Sequence, residues 1–265
     1  MKLKKMAILM TVLLVMLSVL PVSMAKDPNG ADTLVEDPDS PVNFTWVLIS
    51  AFLVFFMQTG FAILGAGAIR VKNVVSYMTQ SYMDFSIGAL AFFLVGFAFM
   101  FGGSMHAPGL SEGNAFIGLS GFALMGEAYD VTTAMFFLFH VMFAAAAATI
   151  VAGAVAGRMK FQAYLIYTAV ITTFIYSIHG HWIWGGGWLA SLPFGVGAID
   201  FAGSGAVHAV GGSIALAGAY MVGPRKGKFR KDGTPVPIPG HNVSYVVIGA
   251  FILFMGWFGF NPGST

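Results

Sequence analysis

The sequence predicts an all-α integral membrane protein with six transmembrane helices, and three observations predict it. Of its 265 residues, 57% are hydrophobic and 9% are charged, whereas soluble domains carry about a quarter charged residues. Too few Asp, Glu, Lys and Arg remain to clothe a soluble surface, so the outer surface must face lipid. Six stretches beyond residue 42 are each apolar over roughly the 20 residues that a bilayer crossing takes. The basic residues between these stretches fall in alternate loops. The 34 Gly and 26 Phe also suit a membrane bundle, where small residues let backbones approach closely.

Residues 1–25 read as a signal peptide. Lys2, Lys4 and Lys5 form a basic start, Met6 to Leu20 an apolar core, and Ser23-Met24-Ala25 supplies small residues before a cleavage point. The alternative is an uncleaved first transmembrane helix, for which the apolar core is short. Residues 26–42 are polar, acidic and Pro-containing, and are expected to form a flexible exported segment. The membrane domain occupies residues 43–265, with spans at about Phe44–Ile69, Val75–Phe101, Val131–Gly157, Phe161–Trp184, Phe201–Val222 and Val243–Phe260. The chain stops at Asn261-Pro262-Gly263-Ser264-Thr265, directly at the end of the sixth span, so an incomplete membrane domain is expected.

Charge placement sets the orientation. Arg70 and Lys72 follow the first span, Arg158 and Lys160 the third, and Arg225, Lys226, Lys228, Arg230 and Lys231 the fifth. Loops 102–130 and 185–199 contain neither Lys nor Arg. Cytoplasmic loops carry the excess of basic residues, so the mature N-terminus is expected outside, which agrees with a cleaved signal. The formal net charge of +2 gives no footprint for nucleic acid, and the absence of Cys excludes disulfides and thiolate metal sites.

Ionisable groups inside a membrane are expensive and are functional candidates by default. His208 lies about 12 Å into the fifth span at 1.5 Å per residue, with Gly211, Ala215 and Ala219 continuing its face toward a neighbouring helix. It points into the bundle or into a pore, either as a functional group or as a buried His bonded to a carbonyl. Asp200 opens the same helix, where a carboxylate either caps the free N–H groups or attracts a cation at the outer mouth. Asp84 sits in the second span near Thr79, Gln80 and Ser81, within reach of polar partners or water. His179 and His181 diverge by about 200° on a helix, which argues against a metal site. Trp182, Trp184 and Trp188 surround Gly185-Gly186-Gly187 at the outer boundary. They form either an ordinary interfacial belt or a vestibule whose indole faces attract a small cation.

Six strings, in order, carry a family resemblance. They are Met57-Gln58-Thr59-Gly60-Phe61-Ala62 with Ile69-Arg70-Val71-Lys72-Asn73, Phe139-His140-Val141-Met142-Phe143, Trp184-Gly185-Gly186-Gly187, Asp200-Phe201-Ala202-Gly203 with His208, and Gly256-Trp257-Phe258-Gly259-Phe260-Asn261-Pro262-Gly263-Ser264. Over residues 44–265 the chain resembles the ammonium transporter / methylammonium permease / Rhesus superfamily, nearest its microbial and plant ammonium transporters.

The resemblance implies a fold of eleven helices built as two inverted repeats, of which this chain holds the first repeat and the opening helix of the second. It implies ammonium or ammonia as cargo, with methylammonium as an analogue, in a homotrimer lying in the cytoplasmic membrane. A cytoplasmic PII-type regulator is an implied partner, and no cofactor or metal is expected. Trp184, Phe139, Phe143 and Ser264 correspond to the outer recruitment site, Phe143 and Phe260 to the rings that close the pore, His208 to the first pore histidine, and Asp200 to the vestibule aspartate. Family members often carry Gln where this chain has His140. A sensor, a Rhesus-type neutral gas channel and a membrane enzyme are the rival readings. The enzyme has no Ser-His-Asp arrangement or His-rich metal spacing to support it.

Overall fold

The computed structural model describes residues 25–265, so the expected signal peptide, apart from Ala25, lies outside the described residues. Six helices among them are long and apolar enough to cross a membrane. They are α1 (Ser40–Ala68), α2 (Val71–Phe101), α3 (Val131–Val155), α4 (Phe161–Trp184), α5 (Ser204–Val222) and α6 (Val243–Phe260). A backbone in hydrocarbon must satisfy its own N–H and C=O groups, and a helix does so within one segment.

The boundaries follow local chemistry. Pro41 sits in the first turn of α1, where its missing N–H costs nothing. The helix therefore starts at Ser40, inside the stretch expected to be flexible. The rest of that stretch is also ordered. A short helix covers Ala31–Glu36, and the Asp27 carboxylate accepts the Thr33 N–H and hydroxyl, both at 2.7 Å. Those Thr33 bonds hold the Asp27 carboxyl below the usual carboxylate range. At the other helix starts, Asp130 accepts the Thr132 and Thr133 N–H groups of α3, and Asn242 accepts the Tyr245 N–H of α6. Helix α5 begins three residues later than the apolar run suggests, because Phe201–Gly203 are drawn into a turn around Asp200.

Helix α3 is the most buried of the six spans and touches α1, α2 and α5 extensively. Its run Ala144–Ala148 is sealed from solvent, and such small side chains let three neighbours approach at once. On one side Gly211 of α5 lies against the Ala147 carbonyl and Ile150, and Gly218 lies against Val155. The small-residue face of α5 thus packs on α3, with Gly218 adding to it.

Helices α1 and α6 run antiparallel in the closest pairing of the bundle. A Cβ at Gly256 would overlap Met57, and one at Gly249 would overlap the Leu64 backbone. The pair is pinned at both ends. The His241 and Asn242 N–H groups donate to the Ile69 and Gly67 carbonyls, which α1 itself leaves free. At the other end the Trp46 indole donates to the Pro262 carbonyl at 3.3 Å.

Asp84 is the one fully buried carboxylate among the described residues. The hydroxyls of Thr149 on α3 and Thr168 on α4 each donate to it at 2.7 Å, and Thr149 also lies 2.7 Å from the Gln58 amide oxygen of α1. Four helices meet through these side chains. Asp84→Ala leaves the Thr168 hydroxyl without its carboxylate acceptor, strips Thr149 of one of its two, and opens a cavity. Because each orphaned buried group costs about 1–3 kcal/mol, a lowered unfolding midpoint in detergent is expected, with Asp84→Asn losing less. Equal midpoints for Asp84→Ala and the unsubstituted chain would show that the cluster does not hold the helices together.

Candidate functional site

The site is built at the ends of α2, α3, α4 and α6, on the side of the bundle where the loops contain neither Lys nor Arg. A cavity of about 520 Å³ opens there, lined by Phe101, His106, Phe139, His140, Phe143, Trp184 and Ser264 among others. Four residues expected to form the recruitment site, Phe139, Phe143, Trp184 and Ser264, are thereby brought to one space. They come from three distant parts of the chain, and each is held by a separate contact.

Phe139 and Phe143 lie one turn apart on α3, with ring centroids 4.6 Å apart. Trp184 ends α4, and its indole N–H donates to the Asp200 carbonyl at 2.6 Å. With its only donor occupied there, the indole offers the cavity its ring, 6.2 Å from the ring of Phe143. Ser264 lies in the short 3-10 turn Pro262–Ser264, and its hydroxyl donates to the Phe260 carbonyl at 2.7 Å. The hydroxyl proton is therefore engaged, while the oxygen keeps acceptor lone pairs on the cavity side. The lining combines aromatic faces with acceptors, and a small cation that donates N–H bonds meets both needs.

Beneath the cavity the rings of Phe143 and Phe260 lie against each other, with centroids 3.9 Å apart and planes inclined by 37°. Both side chains are buried. His208 comes next, 5.3 Å from Phe260 and 6.2 Å from Trp257 by ring centroid. The order from the cavity inward is thus aromatic site, stacked rings, histidine. The imidazole of His208 is half-buried on α5, at the turn that widens over Ser204–Ala209.

Asp200 has its carboxylate fully occupied. One oxygen accepts the N–H groups of Gly203 and Ser204, and the other accepts those of Gly205 and Ala206, all at 2.7–2.9 Å. These are the free donors of the first turn of α5. Gly203, at φ 100°, makes the turn possible and lies against Trp184. One residue therefore shapes both the start of the histidine helix and the seat of the indole.

Several participants were not singled out in the sequence. His106 lies in the loop after α2, and its Nε2 is 2.9 Å from the Trp184 carbonyl. A carbonyl only accepts, so Nε2 carries the proton in that bond. Phe101 and Phe136 flank the cavity, each with its ring centroid 4.4 Å from that of His140. A lone His in a polar loop and two Phe among many carry no periodic signal, and only the fold gathers them. His181 faces the Met100 carbonyl through Nδ1 and the Asn114 carbonyl through Nε2, at 2.9 and 2.7 Å. It fixes the loop to α4, while His179 lines a different hollow. No group of three or more His, Cys, Asp or Glu suited to a metal occurs among the described residues.

The fold and this site define a polytopic helical membrane protein with an aromatic-lined cavity above the Phe143–Phe260 ring pair and His208. The sequence model of the Ammonium Transporter Family matches residues 45–265. The chain belongs to that family. It is 55% identical over 245 residues to the ammonium transporter Amt2 of Archaeoglobus fulgidus, covering 90% of this chain and 51% of the relative. It is 46% identical over 231 residues to ammonium transporter 1 member 3 of Solanum lycopersicum, covering 84% and 48%. Among solved structures it superposes on a "Sensor Amt Protein" with TM-score 0.76 and 40% identity, over 86% of this chain and 56% of that one. For Mep2 of Candida albicans the TM-score is 0.70 and the identity 32%, over 84% and 48%. The chain spans about half the length of the curated relatives it matches.

Asp200→Ala removes the acceptor for four N–H groups at once. The first turn of α5 is expected to fray, and amide exchange at Gly203–Ala206 to accelerate by at least about tenfold, the scale of one lost charge-assisted hydrogen bond. Asp200→Asn keeps one oxygen and should fall between. Unchanged exchange in Asp200→Ala would mean that the turn holds without the carboxylate.

Proposed function

We propose that the natural gene product carrying this chain moves ammonium across the cytoplasmic membrane. In this reading ammonium binds at the outer cavity, gives up a proton to water at the outer mouth, and passes as ammonia beyond the stacked rings to His208. The observation that carries the proposal is the convergence of Trp184, Phe139, Phe143 and Ser264 on one cavity directly above the Phe143–Phe260 pair.

Physical cost supports the order of steps. An unpaired ion in an apolar passage is heavily penalised, so ammonium is best held among aromatic faces at the mouth. Each face contributes about 0.5–2 kcal/mol of attraction to a cation. The free lone pairs of Ser264 take one N–H. Loss of the proton leaves a neutral molecule for the apolar path, and the half-buried imidazole of His208 replaces part of its lost hydrogen bonding. Potassium has no proton to release and stays outside. A homotrimer and a cytoplasmic PII-type regulator complete the reading by family resemblance.

Sensing is a second reading, favoured by the likeness to the structure titled "Sensor Amt Protein". Labelled methylammonium uptake by the natural gene product in transporter-deficient cells separates the two. Saturable accumulation is expected, with Trp184→Leu and Ser264→Ala each raising KM by about three- to tenfold, the scale of one cation–π contact or hydrogen bond. Binding without accumulation would favour the sensor.

The orientation is open to a direct check, because the chain contains no Cys. Phe194→Cys, in an exposed loop, is expected to react with an impermeant thiol reagent on intact cells or spheroplasts. Lys231→Cys should react only after permeabilisation. The opposite pattern would invert the topology.

A further inference from the structure

His140 is 9% exposed, lines the outer cavity, and sits inside a cage of rings. Its ring centroid is 4.4 Å from those of Phe101 and Phe136, 5.6 Å from those of Phe139 and Phe143, and 5.7 Å from that of Trp184. Its Nδ1 is buried with no hydrogen-bond partner. A buried polar side chain left in this state needs a reason, because orphaned buried polar atoms are uncommon and costly.

Packing alone does not supply that reason. Leu or Met fills such a space without a polar atom to leave unpaired. The neighbouring elements offer no anion either. From α2 come Phe101 and from α4 Trp184, both uncharged. The loop after α2 presents His106, whose Nε2 proton is engaged on the Trp184 carbonyl. The carboxylate of Asp200 is committed to four N–H groups of the α5 turn. No Asp, Glu, Lys or Arg side chain lines the cavity. The imidazole therefore sits in the cage as a neutral ring, with one nitrogen able to accept.

We propose that His140 is a direct ligand of the cation in the outer cavity, keeping its ring proton on the sealed Nδ1 among the aromatic faces and accepting an N–H hydrogen bond through Nε2. This rests on the reading of the cavity as an ammonium site and adds a selective element to it. Aromatic faces attract any small cation, whereas an imidazole lone pair favours one that carries N–H donors over a large alkali ion, which it meets only by ion–dipole attraction. Together with the free lone pairs of Ser264, His140 gives the cavity two acceptors contributed by different helices. The pair discriminates ammonium and methylammonium from alkali ions of similar size.

The test uses the natural gene product in transporter-deficient cells, with methylammonium uptake competed by caesium, which has no N–H. His140→Leu removes the acceptor, and His140→Gln keeps one in nearly the same place. Membrane levels are matched for all variants. His140→Leu is expected to raise the methylammonium KM about tenfold or more, the scale of one hydrogen bond to a charged group, while the caesium inhibition constant stays within about twofold. His140→Gln is expected to stay within about threefold of the unsubstituted protein for both ions. A His140→Leu protein with unchanged KM overturns the proposal, as does one that loses methylammonium and caesium equally, which marks a packing role. A His140→Gln protein as weak as His140→Leu also overturns it. If the unsubstituted protein neither binds nor takes up methylammonium, the ammonium reading itself fails, and the His140 role with it.

Discussion

Helix α6 lies against α1 with no side chain between them at Gly249 and Gly256, and the site depends on that closeness. Lipid tails give apolar helices no hydrophobic reason to associate, so packing contact and main-chain hydrogen bonds have to supply it. Here the glycines provide the contact, and the bonds from His241 and Asn242 to α1 fix the register. With the register set, Phe260 arrives over Phe143 of α3 and Ser264 arrives at the cavity wall. A displacement of one residue along α6 would turn Phe260 by about 100° away from that partner.

The intramembrane polar groups are handled in three different ways. Asp84 is enclosed by hydroxyls from α3 and α4 and becomes a joint between helices. Asp200 stands at the end of α5 and gathers four N–H groups that the helix cannot satisfy itself. His181 lies between two main-chain carbonyls, gives its ring proton to one of them, and ties the loop that carries His106 to α4. In each case the protein provides the partner. The surroundings of His140 and His208 are instead chiefly rings.

The same economy shapes the cavity. The donors of Trp184, Ser264 and His106 are all engaged on main-chain carbonyls of the protein. What faces the cavity is ring surface and lone pairs, the complement of a small cation with N–H bonds. The arrangement is tight enough to hold a strained residue in its loop. Met105, a non-glycine residue at φ 59°, precedes His106 in the loop that reaches across to Trp184.

The sequence by itself determined the class, the number of spans and nearly all their limits, because apolar length and composition are properties of consecutive residues. Ordered strings also singled out Trp184, Phe139, Phe143, Phe260, His208 and Asp200 as candidates. Where the reading slipped, at the starts of α1, α2 and α5, a Pro in the first turn, a 3-10 turn over Val71–Asn73 and a carboxylate drawing in its own loop moved the boundary. What only the tertiary structure decided was which residues share a space. His106, Phe101 and Phe136 join the cavity from positions with no pattern to mark them, and the neighbours of Asp84 lie 65 and 84 residues away. Those meetings are set by how closely glycine and alanine faces let helices approach, a property of pairs of helices that no single stretch of chain contains.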